Sequence, residues 1–460
     1  MVIVERIPGS TAPQVLRVLA TVEDWDFDEP WAKTTRESTG VGVVIGPRLV
    51  LTLASVVVGA VEPTVPLAPH QARAQIKAID HDRDLALLEL ADSITAVWGI
   101  EPAALGPMPV TTDVLILIGH DEDARAAEIG HAVISKIGLT RYAHSQRHLL
   151  AVTFEARQPL HVGGDAVFRN GALIGLVMQR STDDDQRGEL IPPPLIQAFL
   201  DGVTAGKPTG VPALGIAVQP LDHPAARALV GLGAGEPGAL VTRVDHGGTC
   251  DGVLLPRDVL ISIDGQLVAT DGSVLYREQP LKHYAVLGTR HLGDQITLAI
   301  RRGGKDMAVQ VTLGPWLPLV YRARHDVPPT YLVFAGLVFQ PVTRDYLTTW
   351  ESWWDKGPKE FLNAYYWGER TAARRELVAL TSVLEDPINA GYATFANESV
   401  VRVGEHVPRD LEDLGRLLDA AHGLVTIELS SGALIVLDAD EARAATPRIL
   451  ADHGVLRDRA

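Results

Sequence analysis

One cysteine, Cys250, occurs among 460 residues. An intramolecular disulfide is therefore excluded, and nothing in the chain demands an oxidising compartment. No window reaches the length of uninterrupted apolar sequence that a membrane-spanning helix needs, because Pro, Arg or a tight turn breaks residues 41–60 and 331–342. No run rich in Lys or Arg occurs, and 57 acidic against 41 basic residues give a formal charge of −16. Nucleic acid and an anionic membrane are thus not expected as main partners. The first twenty residues carry acidic and proline interruptions where a signal peptide needs a basic start and an unbroken apolar core. A cytoplasmic location is expected.

What is present points to folded domains. Hydrophobic residues make up 46% and charged residues 21%, which leaves little room for long disorder, and the length suggests two to four domains. From Val15 to Leu200 short apolar stretches alternate with Gly, Pro and Asp turns. The pattern predicts an all-β barrel or sandwich, with strands at 41–45, 49–54, 75–80, 85–89, 114–118, 131–137 and 149–154. Residues 154–179 organise this part. Apolar stretches at 166–168 and 173–178 flank Asn170-Gly171 and predict a hairpin, because Asn and Gly tolerate positive φ. A Gly163-Gly164 corner leads into it. After Pro192, Pro193 and Pro194, the side chains of Leu195, Ile196, Phe199 and Leu200 fall on one face and predict a short closing helix.

Three segments taken together resemble the HtrA/Deg proteases. Gly40-Val41-Gly42, followed by Leu51-Thr52-Leu53-Ala54-Ser55-Val56-Val57, is similar to the family's Gly-Ser-Gly and Leu-Thr-Asn-Ala-His-Val-Val segment. Asp80-His81-Asp82-Arg83-Asp84-Leu85-Ala86-Leu87-Leu88 resembles the segment that holds the triad aspartate, which would be Asp84. Leu160-His161-Val162-Gly163-Gly164-Asp165 falls in the register of Gly-Asn-Ser-Gly-Gly-Pro, the corner that carries the nucleophile and shapes the oxyanion hole. With Asp28-Glu29-Pro30-Trp31 upstream, the resemblance implies a trypsin-like double β-barrel over residues 1–203.

The chemistry does not carry over with the fold. Matched residue by residue, the base position is Ser55, the nucleophile position is Val162, and only Asp84 fits its role. Valine has no nucleophilic atom, and serine near its free pKa cannot act as a base at neutral pH. His161 replaces the usual Asn and Asp165 the usual Pro, so the oxyanion corner at His161, Gly163 and Gly164 is altered as well. Losing nucleophile and base alone removes several powers of ten in rate. A pseudoprotease is expected. Asp84 is expected to be a strand-start aspartate that caps its neighbours, and His161 and Asp165 to be solvated rather than a relocated acid–base pair. His120, His131, His144, His148 and His161 show no zinc-site spacing and are expected to be scattered on the surface. No metal and no cofactor is expected.

Residues 206–210, Gly-Lys-Pro-Thr-Gly, read as a linker. Beyond it Leu214-Gly215-Ile216, Gly238-Ala239-Leu240-Val241 and Asp258-Val259-Leu260 through Ile263-Asp264-Gly265 resemble an HtrA-type PDZ domain, with Arg257 where Gly is usual. The resemblance implies a PDZ-like domain over residues 208–318. In such a domain a peptide adds a strand to an exposed edge and its terminal carboxylate sits in a nest of N–H groups, here Leu214, Gly215, Ile216 and Ala217. Residues 326–460 resemble the second PDZ domain and tail of plant-type Deg proteases, through 331–342, 384–392, 401–407 and 444–450. Ala335, Gly336, Leu337 and Val338 hold the corresponding positions there. The groove helix is expected over residues 408–421, with Leu411, Leu414, Leu417 and Leu418 facing inward. Trp350, Trp353, Trp354 and Trp367 gather between loop and helix, beside Tyr365 and Tyr366. The spacing puts the first three on one helical face, and core or inter-domain packing is favoured over a subunit interface or a ligand cage.

The fold class expected is mainly β: a trypsin-like double β-barrel followed by two α+β PDZ-like domains. The first functional reading is a non-proteolytic scaffold or chaperone-like subunit that binds protein C-termini or unfolded peptides and forms a homo-oligomer. Family resemblance implies a trimer or a multiple of one. Two other readings stay open: a working serine endopeptidase of protein quality control with an unconventional site, and a purely structural subunit whose grooves its own chain fills.

Overall fold

The computed structural model describes residues 2–6, 14–61, 71–119, 128–161 and 163–460. They divide into two units, Met1–Glu23 with Thr35–Trp316, and Asp24–Thr34 with Leu317–Ala460. Alternating apolar residues put Val18, Ala20 and Val22 on the buried face of the strand Val15–Trp25. In spatial order Val2–Arg6, Val15–Trp25, Lys33–Gly46, Leu49–Thr52, Leu85–Leu90 and Gln71–Asp80 close a six-stranded barrel. The first two strands add to the set expected from the sequence. A second barrel closes in the order Ala166–Arg169, Ala172–Arg180, Arg187–Ile191, His148–Ala156, Glu128–Arg141 and Val114–Gly119. The hairpin turn forms as expected, with φ of 52° at Asn170 and 80° at Gly171. The closing helix Pro193–Thr204 starts with proline in its first turn and buries Leu195, Ile196 and Phe199.

In the same unit Ile216–Gln219, Ala239–Val244, Val259–Ile263, Gln295–Arg302 and Lys305–Thr312 form a sheet in that order, with Ile216–Gln219 at its edge. Leu214, Val241, Leu260 and Leu298 sit in its core. The segment expected to be a free linker is bound down. Lys207 pairs with Asp294 at 2.6 Å, Gly210 N–H donates to Asp80 at 3.1 Å and Val211 N–H to Asp82 at 2.8 Å. Barrels and sheet fall within the same compact unit.

The second unit is a six-stranded sheet in the order Leu332–Phe334, Leu337–Pro341, Val378–Val383, Glu398–Val403, Leu424–Leu429 and Leu434–Asp438. The helix Leu411–Ala420 begins where the Asp410 carboxylate accepts from Asp413 N–H at 2.9 Å. It buries Leu411, Leu414 and Leu418, while Leu417 is only half-buried. Residues Asp24–Thr34 belong to this unit. Phe27 packs beside Trp350 and Trp353, Trp31 meets Tyr331 edge-on at 5.7 Å, and the buried amide of Gln340 donates to Phe27 O at 3.0 Å. The shared tryptophan face does not form. Ser352 at φ 51° breaks the segment before the helical turn Trp353–Lys356, so Trp350 and Trp353 pack on Tyr346 and Tyr365 while Trp354 stays exposed. Among the described residues no helix is long and apolar enough to cross a membrane.

Arg257, in the place of a usual glycine, has φ 79° and an exposed side chain. That left-handed conformation costs a residue with a Cβ about 1–2 kcal/mol, and glycine returns part of the gain as chain entropy. Arg257→Gly is expected to raise stability by about 0.5–1 kcal/mol, read from the urea midpoint at constant slope. A lower midpoint contradicts the strain.

Candidate functional site: a barrel corner and two edge grooves

The strand Leu49–Thr52 runs into a single helical turn, Ala54–Val57, which places Ser55 against the start of the strand Leu85–Leu90. Asp84, at φ 55° and 2% exposed, stands there. Its two carboxylate oxygens accept the Ser55 N–H at 2.7 Å and the Ser55 hydroxyl at 3.1 Å. Asp84 is thus a strand-start carboxylate bonded to its neighbour across the turn. Burial pushes the Asp84 carboxyl up to about 7 although Ser55 donates to it twice.

Val162 lies outside the described residues. Around it the backbone turns through Gly163 and Gly164, at φ 88° and 87°. An oxyanion hole needs N–H groups aimed into the cleft. Here Leu160 N–H donates to Asp185 O at 3.0 Å, His161 N–H to Asp165 Oδ2 at 3.2 Å, and Gly164 N–H to His161 O at 3.4 Å. The Asp165 carboxylate takes one of these three N–H groups. The expectation that His161 and Asp165 are solvated is corrected: they are 11% and 2% exposed at the side chain, and His161 Nδ1 lies 2.6 Å from Asp165 Oδ1. The pair seats against Gly119, where an added Cβ would lie 1.9 Å from Asp165 Oδ1. A carboxylate buried four residues after the imidazole finds its donors on that same turn. Ser38, Thr39, Ser55, His161, Gly163 and Gly164 line one cleft. What this corner offers is a hydroxyl on a buried carboxyl and an imidazole on a second carboxylate. His144 is likewise not scattered, since its Nε2 lies 3.1 Å from Nδ1 of His81. His120 lies outside the described residues.

The two edge grooves differ. In the first unit Leu214, Gly215 and Ile216 line a cavity with His283, Tyr284 and Leu287 of a short 3₁₀ helix, His283–Leu287. Gly215 takes φ 67°, and its carbonyl accepts Asp245 N–H at 2.7 Å, which fixes the loop. Ile216–Gln219 pairs on one side only, with Ala239–Val244. The sequence reading missed His283. No helical period marks a five-residue 3₁₀ segment.

In the second unit Ala335 and Gly336, at φ 51° and 82°, form a two-residue turn that folds Leu332–Phe334 back onto Leu337–Pro341. The open edge expected at Ala335, Gly336, Leu337 and Val338 is therefore already paired, and all four are buried. Ala335 N–H donates to Thr446 Oγ1 at 2.9 Å, and Ala335 O accepts from Asn389 Nδ2 at 2.8 Å. The outer edge of the added strand is paired too. Val333 N–H donates to Asp458 O at 2.6 Å and Ala460 N–H to Tyr331 O at 3.2 Å, while Arg459 reaches Asp419 on the groove helix at 2.8 Å.

Comparison with known proteins agrees with both parts of this geometry. Residues 40–176 match the trypsin-like peptidase domain and residues 320–460 the PDZ domain. The chain is 29% identical to Protease Do-like 2, chloroplastic, of Arabidopsis thaliana over 458 residues, covering 97% of this chain and 74% of the relative. It is 28% identical to Protease Do-like 4, mitochondrial, of the same plant over 435 residues, covering 93% and 81%. Among solved structures, a variant of the HtrA-type protease AlgW with a decapeptide superposes with a TM-score of 0.52 at 22% identity, covering 66% of this chain and 94% of that one.

The raised carboxyl of Asp84 makes stability depend on pH with a definite sign. Its proton leaves near 3.8 in the unfolded chain and near 7 in the folded one. This contribution is fully present below the lower value and is lost as pH rises through the higher. Asp84→Asn tolerates the same backbone and cannot ionise. The variant is expected to exceed wild type at pH 8 by at most about 4 kcal/mol, with the gap narrowing toward pH 4. Urea unfolding at both pH values checks it, and a gap that does not change with pH contradicts the assignment.

Proposed function

The chain belongs to the HtrA/Deg family, with a trypsin-like peptidase domain and PDZ domains, and on that premise we propose that it binds protein C-termini or unfolded peptides without cleaving them. The observation that carries the reading is the open edge beside the first groove. Among the described residues Ile216–Gln219 has no second strand beside it and lines a cavity, while the corresponding strand of the second unit is covered by its own chain. A peptide can add to the first edge by main-chain hydrogen bonds. The related AlgW variant was solved with a decapeptide, which supports a peptide as the ligand class.

Three features support the non-cleaving half of the reading. Valine holds the nucleophile position, serine the base position, and the corner's N–H groups at Leu160, His161 and Gly164 have acceptors inside the protein. The homo-oligomeric part, a trimer or a multiple of one, rests on the family alone. A second reading, an endopeptidase with an unconventional site, has one observation in its favour: the His161–Asp165 pair is a base held by an acid on the rim of the cleft. The purely structural reading fits the second groove and not the first.

Titration of the full chain with fluorescent peptides ending in a free apolar residue is expected to show saturable binding, lost when the carboxylate is amidated. Gly215→Val forces a branched side chain into φ 67°, where its Cβ meets Gly248 Cα at 3.3 Å. It is expected to weaken binding by roughly tenfold or more. Equal affinity for free and amidated peptides contradicts the reading.

A further inference from the structure

The outermost strand of a sheet carries unpaired N–H and C=O groups, and folded proteins shield them with bulges, charge, proline or a covering segment. In the two large sheets the strand order ends at Ile216–Gln219, Lys305–Thr312, Leu332–Phe334 and Leu434–Asp438. The first is four residues long and bulged between Ala217 and Val218. The third is paired by Asp458 and Ala460. On the fourth the Tyr392 hydroxyl accepts Val436 N–H at 3.0 Å and donates to Val436 O at 2.9 Å. Lys305–Thr312 has none of these devices. It runs for eight residues in unbroken register with Gln295–Arg302, and no strand among the described residues pairs its other side. Residues 307–313, Met-Ala-Val-Gln-Val-Thr-Leu, hold neither charge nor proline in a chain of net charge −16. The two charges of the strand sit at its turn end, where Arg301 holds Asp306 at 2.6 Å.

The register also shows which main-chain groups face outward. Leu313 N–H donates to Asp294 O at 2.8 Å, and Gly303-Gly304 turns Lys305 back onto Arg302. Odd-numbered residues from 305 to 313 therefore aim their N–H and C=O at the neighbouring strand. Asp306, Ala308, Gln310 and Thr312 aim theirs outward, where no main-chain partner among the described residues meets them. A second copy of the same edge, related by a two-fold axis, answers all four. With Val309 opposite its own copy, Ala308 stands opposite Gln310 and Asp306 opposite Thr312, and each pair exchanges both main-chain bonds. On the core side of the sheet, where Val309 and Val311 pack, Val309 meets Val309 and the half-exposed Met307 meets Val311. No like charges meet. Sliding the copies by two residues in either direction takes Asp306 or Thr312 off the strand.

We propose that Lys305–Thr312 is an interface between two copies of this chain, joined edge to edge as antiparallel strands about a two-fold axis at Val309. The proposal is independent of the peptide groove, which lies at the opposite end of the same sheet. A two-fold contact joins chains, or closed rings of chains, in pairs. Sedimentation of the full chain at rising concentration is expected to show the mass of its smallest species doubling. Ala308→Pro removes an N–H that faces outward and none that bonds Gln295–Arg302, so the sheet is kept. It is expected to weaken the doubling by roughly tenfold or more in dissociation constant. Val309→Cys gives a second readout that is specific to the register. Opposed residues between the hydrogen-bonded pairs have Cα atoms about 4.5 Å apart, within the span of a disulfide, and the native Cys250 is buried. Mild oxidation is expected to crosslink Val309→Cys chains in pairs, and Gln310→Cys chains, which meet Ala308 instead, far less. A mass that stays constant leaves the edge to a partner of another kind and overturns the proposal, as does doubling that Ala308→Pro leaves unchanged. Should Ala308→Pro not fold, the crosslink decides: equal yields at the two positions, or none at either, overturn the proposal.

Discussion

The guanidinium of Arg83, 1% exposed, holds the first unit together. A cation taken out of water destabilises the fold unless its donors are met, and all five N–H groups here are. Nε and one terminal nitrogen bond Gly288 O at 3.0 and 2.9 Å; the same terminal nitrogen reaches Arg290 O at 2.8 Å. The other terminal nitrogen bonds Asp80 at 2.5 Å and Gly210 O at 3.2 Å. Gly210 lies in the segment that joins barrel to sheet, and Gly288 follows the helix that walls the open groove. One barrel turn thereby sets the position of the groove wall. Its next residue, Asp84, sets Ser55.

The same turn chemistry decides between an open and a filled groove. At Leu214-Gly215 only the glycine takes a left-handed conformation, and the chain enters the loop from elsewhere, with Ala213 N–H on Gly314 O at 3.0 Å. At Ala335-Gly336 both residues do, which makes a hairpin and lays the preceding strand along the edge. A buried alanine at φ 51° is strained. Asn389, whose amide bonds both Ala335 O and Leu384 O, holds it there.

Much of this was legible in the residues. The Asn170-Gly171 hairpin, the barrel strands around Ser55 and Asp84, the edge loop at Leu214 and the groove helix with Leu411, Leu414 and Leu418 each carry a local signal of period or turn chemistry. What stayed hidden depends on contacts between distant residues. A positive φ at Ala335 has no compositional mark, and nothing in Phe27 or Trp31 says that a connection between barrel strands packs into the second unit. A spacing of four inside a turn does not reveal that His161 and Asp165 are bonded, and the acceptors of the corner's N–H groups include Asp185, twenty-five residues on from Leu160.

The central proposal is that this chain, on a trypsin-like scaffold, binds peptides at an open sheet edge without cleaving them. Its most direct test is to incubate the purified chain with unfolded casein and, in parallel, with a fluorophosphonate probe. The account expects no time-dependent fragments and no covalent adduct. Fragments that accumulate with time and vanish on substitution of Ser55 or His161, or a labelled residue in the cleft, would contradict it.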